Sequence, residues 1–206
     1  QVRLFDRSPS PYLKTNQEMI VGDIMNLEQV IEAAKGSSIV YNFAAIADID
    51  EAHDKPIPTA TINVLGNMHV LEAARIAGAR RFVFASSVYV YSESGSFYRA
   101  SKQAAERFTE TYHERYGLNY NILRYGSLYG RRSDKRNGIY RMLQEAVEHH
   151  SITYKGSGEA MREYIHVEDA ARMSVQILAP EFANRHMILT GQEKLRIRDV
   201  MTMISE

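Results

Sequence analysis

Arg81-Phe82-Val83-Phe84-Ala85-Ser86-Ser87, followed by Val88-Tyr89-Val90-Tyr91 and then by Tyr98-Arg99-Ala100-Ser101-Lys102, is the stretch from which the fold can be read. Its first part is short, apolar and aromatic, and it ends in two hydroxyls. That is the pattern of a buried strand, Arg81–Ser86, with a polar tip. From Tyr98 the period becomes helical and runs to Tyr116, where Gly117 supplies a stop. A further strand follows at Asn121–Arg124. Strand, helix and strand in that order form a βαβ unit.

The same alternation extends in both directions. Upstream, Val2–Asp6 reads as a strand, Leu27–Lys35 as a helix stopping at Gly36, Ile39–Ala45 as a buried strand and Thr61–Ala77 as a helix ending near Gly78. Downstream, Ile139–His149 and Asp169–Leu178 read as helices, Met187–Leu189 as a short strand and Arg198–Ser205 as a helix. The prediction is a doubly wound parallel α/β sheet of the Rossmann type with right-handed crossovers, whose ligands bind beyond the carboxyl ends of the strands. Residues 1–130 are expected to form the dinucleotide domain, and 131–206 a partial, smaller substrate region interleaved with it.

Composition narrows the function classes. The 206 residues are 45% hydrophobic, enough for a sizeable core. Lys+Arg and Asp+Glu both number 25, and neither sign is concentrated in one block, so a nucleic-acid surface is not expected. The chain has no cysteine, which excludes a disulfide framework, a thiolate nucleophile and a zinc–thiolate centre; no metal site is expected. No apolar run approaches the ~20 residues of a membrane span, and a cytoplasmic protein is the expectation.

The strand tips carry the candidate chemistry. Asp6 can accept hydrogen bonds from ribose hydroxyls and would repel a 2′-phosphate, or it can simply turn the chain into Ser8-Pro9-Ser10-Pro11. Asp23, in Val21-Gly22-Asp23-Ile24, suits an adenine amino group or a helix cap. Asn42-Phe43-Ala44-Ala45-Ile46-Ala47 ends a strand with small residues that admit a flat cofactor, or that merely allow tight helix packing. Tyr98 and Lys102, four apart, share one helical face. A free tyrosine titrates near about 10, and an adjacent ammonium, joined by a positive nicotinamide ring, lowers that value, so the phenol can exchange a proton with a substrate hydroxyl. Ser87 can orient the same oxygen. Tyr-x-x-x-Lys alone is common on solvated helices; the Ser-Ser strand end just before it makes the combination specific.

Together these residues resemble the extended short-chain dehydrogenase/reductases, especially the NAD-dependent nucleotide-sugar epimerases and dehydratases, over essentially the whole chain. The resemblance implies Ser87, Tyr98 and Lys102 as the catalytic trio. It implies NAD, with NADP disfavoured, held by Asp6, Asp23, Ile24, Ala44, Ala45, Ala47, Asn63, Ser86, Tyr98, Lys102 and Tyr125. Asn63 falls where the family keeps a structural, water-organising asparagine. Leu123-Arg124-Tyr125-Gly126-Ser127-Leu128-Tyr129-Gly130 resembles the segment lining nicotinamide and substrate. Gly156-x-Gly158 with Arg162-Glu163-Tyr164-Ile165-His166-Val167-Glu168-Asp169 resembles the nucleotide-sugar loop. A nucleotide-diphosphate sugar would then meet Ser87, Tyr98, Ser127 and Arg162, the last matching phosphate with its planar fork. Ser127 stands where many relatives carry an asparagine. His166 and Asp169 are expected to fix the loop and cap the next helix. Family members dimerise through the helices that here contain Met68 and Tyr98, and Val64, Met68, Leu71, Ile76, Phe108 and Tyr112 offer apolar surface, unless they face the sheet.

The departures bear on the reaction. The chain opens at Gln1 inside a strand, and none of its twelve glycines forms Gly-x-x-Gly-x-x-Gly or Gly-x-Gly-x-x-Gly. The family's first strand, its phosphate-cradling turn and the end of its substrate region are therefore expected to be absent from this sequence, and dinucleotide binding by this stretch alone to be poor. The loop between Tyr91 and Tyr98 is short, which implies a more open sugar pocket. Relatives that eliminate water carry Asp-Glu directly after the strand-end hydroxyl, where this chain has Val88 and Tyr89. Reversible hydride transfer with one tuned tyrosine remains. A 4-epimerase, a nucleotide-sugar dehydrogenase or reductase, and a non-catalytic binding remnant are the readings left open.

Overall fold

The computed structural model describes residues 1–93 and 95–206. From the N-terminus the elements are β1 (Val2–Asp6), β2 (Gln17–Val21), α1 (Leu27–Ala34), β3 (Ile39–Asn42), α2 (Ile49–Asp54), α3 (Pro56–Ala60), a π-helical turn (Thr61–Leu65), α4 (Gly66–Ile76) and β4 (Arg81–Ser87). A 3₁₀ turn (Val88–Tyr91), α5 (Ser96–Tyr116), β5 (Tyr120–Tyr125), β6 (Ser127–Tyr129), α6 (Gly138–His149), β7 (Met161–His166) and α7 (Val167–Gln176) follow. A second 3₁₀ turn (Pro180–Phe182), β8 (Arg185–Leu189), β9 (Lys194–Arg196) and α8 (Ile197–Ser205) complete the order. The chain divides into two compact units, Gln1–Leu123 with Ala179–Met187, and Arg124–Leu178 with Ile188–Glu206.

The first unit is the expected Rossmann-type layer. β1 and β2 pair in parallel from Val2↔Gln17 to Asp6↔Val21, and β3 pairs in parallel with β4 in a sheet of order β3-β4-β5-β8. All seven residues of β4 are buried, as a central strand covered on both faces requires. Phe82 and Phe84, two apart, point to the same face and join Leu71 and Ala74 of α4, Ala105 of α5 and Ile122 of β5 in the main core. Burying each phenylalanine contributes roughly 2–3 kcal/mol. A second cluster, Val30, Ala34 and Ala73 with Phe5 against it, joins α1, α4 and β1. Helix boundaries follow local chemistry: Asn26 caps α1 by accepting the Gln29 N–H, and Gly117 ends α5 at φ 71°.

In the second unit β6 and β7 are parallel and β7 and β9 antiparallel. The backbone crosses β7 very closely on either side. A Cβ at Gly126 would lie 2.5 Å from the Glu163 carbonyl oxygen and one at Gly191 2.1 Å from that of Tyr164, so neither position admits a side chain.

Several sequence expectations need correction. The strand expected over Ile39–Ala45 ends at Asn42, because the Asn42 side chain accepts the Ala44 N–H and turns the chain. The helix expected over Thr61–Ala77 opens as the π turn. β2, α2, α3, β6, β7 and β9 were not foreseen. The cap of α7 is His166, whose Nδ1 accepts the Glu168 N–H at 3.4 Å; Asp169 instead pairs with Arg172. Leu71 is fully buried in the core and Phe108 and Tyr112 pack against it, so these three belong to the sheet side of their helices, whereas Ile76 is exposed. Ser94, in the loop before α5, lies outside the described residues. Among the described residues, no helix is long and apolar enough to cross a membrane.

Candidate functional site

Parallel strands point their carboxyl ends the same way, and the first unit collects its functional candidates there. Asp6 ends β1, exposed, with its Oδ1 accepting the Ser8 N–H at 3.0 Å. Asp23 follows β2; its Oδ1 accepts the Met25 N–H at 2.9 Å, while the helix cap falls to Asn26. The Ile24 side chain is buried, packs toward Gly66 of α4, and its carbonyl accepts the His69 ring N–H at 3.0 Å. After β3, Ala44 and Ala47 are exposed and Ala45 is half-buried. Phe43, 61% exposed, stacks on Tyr41 with ring planes 3° apart.

The tip of β4 meets the start of α5. Tyr98 is only 8% exposed and Lys102 4%, so both functional groups lie out of water. The Ser87 hydroxyl accepts the Tyr89 N–H at 3.2 Å, capping the 3₁₀ turn, and lies beside the Tyr98 phenol. The Tyr89 ring stands edge-on to Tyr98 with centroids 6.4 Å apart. The Lys102 ammonium donates to the Ala85 carbonyl at 2.7 Å and lies 4.9 Å from the Phe84 ring centroid and 5.8 Å from that of Tyr98.

Burial sets the electrostatics of this pair. Burial raises the Tyr98 phenol above its ordinary value; the Ser87 hydrogen bond opposes this, and Tyr89 adds to it. Burial also pulls the Lys102 ammonium down to about 8, opposed by the Glu106 carboxylate. The chain's own residues therefore hold Tyr98 as a phenol. Lys102 is not among the groups that move this phenol.

A web of buried amides holds this arrangement in place. Asn63, central in the π turn and 2% exposed, accepts the Ile46 N–H at 2.7 Å and donates to the Ile46 carbonyl and to the Ser101 hydroxyl, each at 3.0 Å. Ser101 in turn donates to the Tyr98 carbonyl at 2.8 Å. The loop after β3 and the helix carrying Tyr98 are thus joined through one side chain, and Asn63 braces protein to protein. Such π turns recur at functional sites. Asn67, one turn on, accepts from Asn42 at 2.8 Å. Ser86 donates to Glu106 at 2.5 Å. Sequence reading missed Asn42, Asn67, Ser101 and Glu106; the four-residue spacing of Asn63 and Asn67, like that of Lys102 and Glu106, is the signal that marks inward faces.

The second unit holds the remaining candidates. Tyr125 is buried and its hydroxyl bonds Ser174 of α7 at 2.6 Å; burial raises its phenol, and that bond opposes the rise. Ser127 lies opposite Tyr164 in the parallel ladder, and Arg162 two residues before Tyr164 shares its sheet face. Ser127 and Arg162 thus flank one patch of β6 and β7. The Arg162 guanidinium donates to the Met161 carbonyl at 2.9 Å and is half-exposed. Gly158, at φ +76°, accepts the Arg198 N–H through its carbonyl at 3.0 Å, closing the turn that precedes β7.

Comparison with known proteins agrees with this layout. The chain is 28% identical over 174 residues to a UDP-glucuronate 4-epimerase of Thermodesulfobacterium geofontis, covering 77% of this chain and 54% of the relative. It is 28% identical to a dTDP-glucose 4,6-dehydratase of Mycobacterium tuberculosis, covering 90% of this chain and 60% of that protein. The chain spans between about half and two thirds of the length of such curated relatives. Among solved structures, a UDP-glucose 4-epimerase from Thermotoga maritima superposes with a TM-score of 0.91 at 21% identity, over 98% of this chain and 72% of that one, which shows the shared fold. The profile of the NAD dependent epimerase/dehydratase family matches residues 1–189, and the chain belongs to that family.

Proposed function

We propose that this chain supplies the proton-handling site and part of the substrate surface of an NAD-dependent nucleotide-sugar 4-epimerase, working in the cytoplasm as a homodimer. The observation that carries the reading is the buried Tyr98–Lys102 pair with Ser87 beside the phenol, at the strand tip where Val88 and Tyr89 bring no carboxylate. Relatives named as 4-epimerases acting on UDP-sugars support it. The donor set also suits a dinucleotide: carboxylates of Asp6 and Asp23 for the adenosine end, the small residues Ala44, Ala45 and Ala47 along its path, and Tyr98 and Lys102 at the nicotinamide. Bound NAD supplies a hydride acceptor and donor.

The chain's own residues then divide the work. Ser87 would orient the sugar hydroxyl against Tyr98; Tyr98 takes the hydroxyl proton only as the phenolate, a form that burial disfavours and the positive ring of bound NAD would favour, and it later returns that proton. Lys102, charged below about pH 8, would offset the negative charge that the phenol oxygen carries while it is without its proton. Without a carboxylate at positions 88 and 89, elimination of water has no acid–base pair in this stretch. Arg162 and Ser127, on one face of β6 and β7, receive the diphosphate. The dimer rests on the half-buried Val64 and Met68 and the exposed Ile76 on the helix before β4.

The test is a panel of UDP-, GDP- and dTDP-sugars with NAD and the intact natural protein. Epimeric product is expected; net oxidation would mark a dehydrogenase instead. Tyr98→Phe should lower turnover by about 10³-fold while sparing nucleotide-sugar binding. Undiminished turnover in that variant would overturn the assignment.

A further inference from the structure

Lys102 is an expensive residue to place where it is. Its ammonium is buried beside Phe84, and a carbonyl dipole at Ala85 is a weak substitute for water. One turn along the same helix lies a second buried charge. Glu106 is 5% exposed, on the face of α5 that carries Lys102. Its Oε1 accepts the Ser86 hydroxyl at 2.5 Å, a charge-assisted bond to the strand whose next residue, Ser87, lies beside Tyr98. Three buried residues of β4 and three of α5 therefore face one another: Ser86 with Glu106, Ser87 with Tyr98, and Lys102 on the Ala85 carbonyl.

We propose that Glu106 is the positioning residue of the proton-handling pair: a buried carboxylate, fixed by Ser86, that keeps the Lys102 ammonium charged in its apolar surroundings. The role in turnover rests on the function proposed above; the effect on Lys102 does not. A buried cation with no anion nearby neutralises rather than bear the desolvation cost, and a neutral lysine cannot assist a phenolate. Glu106 is not proposed to touch the reacting oxygen; its effect on the pair is exerted through Lys102, with Ser86 holding its carboxylate in place. The electrostatics agree, since Glu106 is the group that opposes the downward pull of burial on Lys102. Other titratable groups on elements packed around this stretch are engaged elsewhere. Tyr89 lies edge-on to Tyr98, His53 of α2 bonds the Ser96 hydroxyl, His69 of α4 bonds the Ile24 carbonyl, and Glu72 of α4 pairs with Arg75 and Tyr112.

The experiment follows Lys102 directly. Protein labelled with ¹³C-lysine is titrated by NMR from about pH 6 to about pH 11, with the Lys102 Cε signal assigned by its loss in Lys102→Met. In the unsubstituted chain the midpoint is expected at about 8. Glu106→Gln keeps the volume and the acceptor for Ser86 but removes the charge, and should lower the midpoint by about one pH unit or more. Glu106→Asp retains the charge and should restore most of the difference. A midpoint unchanged in Glu106→Gln, or an equal fall in both variants, overturns the proposal. If Glu106→Gln does not fold, Ser86→Ala decides: a lower midpoint supports the role and an unchanged one sinks it. In the intact protein the alkaline limb of the kcat profile should move down in parallel. Absence of nucleotide-sugar turnover would count against the proposed function and leave the NMR result standing.

Discussion

Around Tyr98, polar side chains are buried and each is tied to a fixed partner: Asn63 to Ile46 and Ser101, Asn42 to Asn67, Ser86 to Glu106, and Lys102 to Ala85. Around Arg162, in the second unit, the charges stand in water. Lys194 meets Glu163 at 3.1 Å and Arg198 meets Glu159 at 2.5 Å, with three of the four side chains at least half exposed. A polar group out of water costs free energy unless bonded, so the first region has one workable arrangement and is rigid before any ligand arrives. Exposed ion pairs contribute about 0–1 kcal/mol each and exchange partners readily. The first region suits proton transfer, which needs placement to fractions of an ångström; the second suits recruitment of a charged ligand.

The sharpest way to break this contrast is Asn63→Ala. It leaves the Ile46 N–H and carbonyl and the Ser101 hydroxyl without their buried partner. At about 1–3 kcal/mol per buried group left unsatisfied, the expected loss is about 3 kcal/mol after partial relaxation and entry of water. Urea denaturation of the chain reads it. A loss below about 1 kcal/mol would mean that the π turn is not the brace described.

Lys102→Met should move stability the other way. The folded-state value, about 8, lies below the ordinary lysine value of 10.5, so the unfolded chain binds more protons between the two. Stability therefore rises with pH across that window, and below about pH 8 the whole cost of the buried charge remains. That cost is roughly 3 kcal/mol, and losing the bond to Ala85 returns about 1 of it. A net gain of about 1–2 kcal/mol near pH 7, with the rise between pH 8 and 10.5 removed, is expected in denaturation curves, together with loss of turnover. Destabilisation at pH 7 would contradict the account of a strained, function-serving charge.

The same contrast explains what could be read from the residues alone. Strands and helices with a long, clean period were legible, as at Arg81–Ser87 and Ser96–Tyr116, because one face or both faces are core. β7, Met161–His166, was not: a short strand in which charged and apolar residues do not alternate, half-exposed for most of its length, resembles a loop until β6 and β9 are seen beside it. α2 and α3 are short helices parted by Lys55 and opened again by Pro56, which reads locally as a break. In the site, Ser87, Tyr98 and Lys102 were legible because their spacing already implies a shared face. Glu106 and Asn67 looked like ordinary solvated helix residues, since only the position of β4 and β3 shows which way they point. Burial, invisible in spacing, is what chiefly moves both the Tyr98 phenol and the Lys102 ammonium.

Arg162→Ala sharpens the contrast from its quiet side. The guanidinium is half-exposed and bonded to the exposed, neighbouring Met161 carbonyl, so stability should change by less than about 1 kcal/mol. Its consequence should lie in ligand binding. A charge-assisted bond to phosphate contributes about 1.5–3 kcal/mol, which corresponds to a rise in nucleotide-sugar Kd or KM of about tenfold or more, with kcat nearly unchanged. Arg162→Lys should recover only part of this, because an ammonium keeps the charge but loses the planar fork. Titration calorimetry with a nucleotide diphosphate on the intact protein separates the outcomes. Equal affinity in all three proteins would assign Arg162 to the surface network of Glu159, Glu163 and Lys194 and remove it from the ligand site. A fall in kcat matching the fall in kcat/KM would instead place it among the groups that act in the transition state, erasing the division between the two regions.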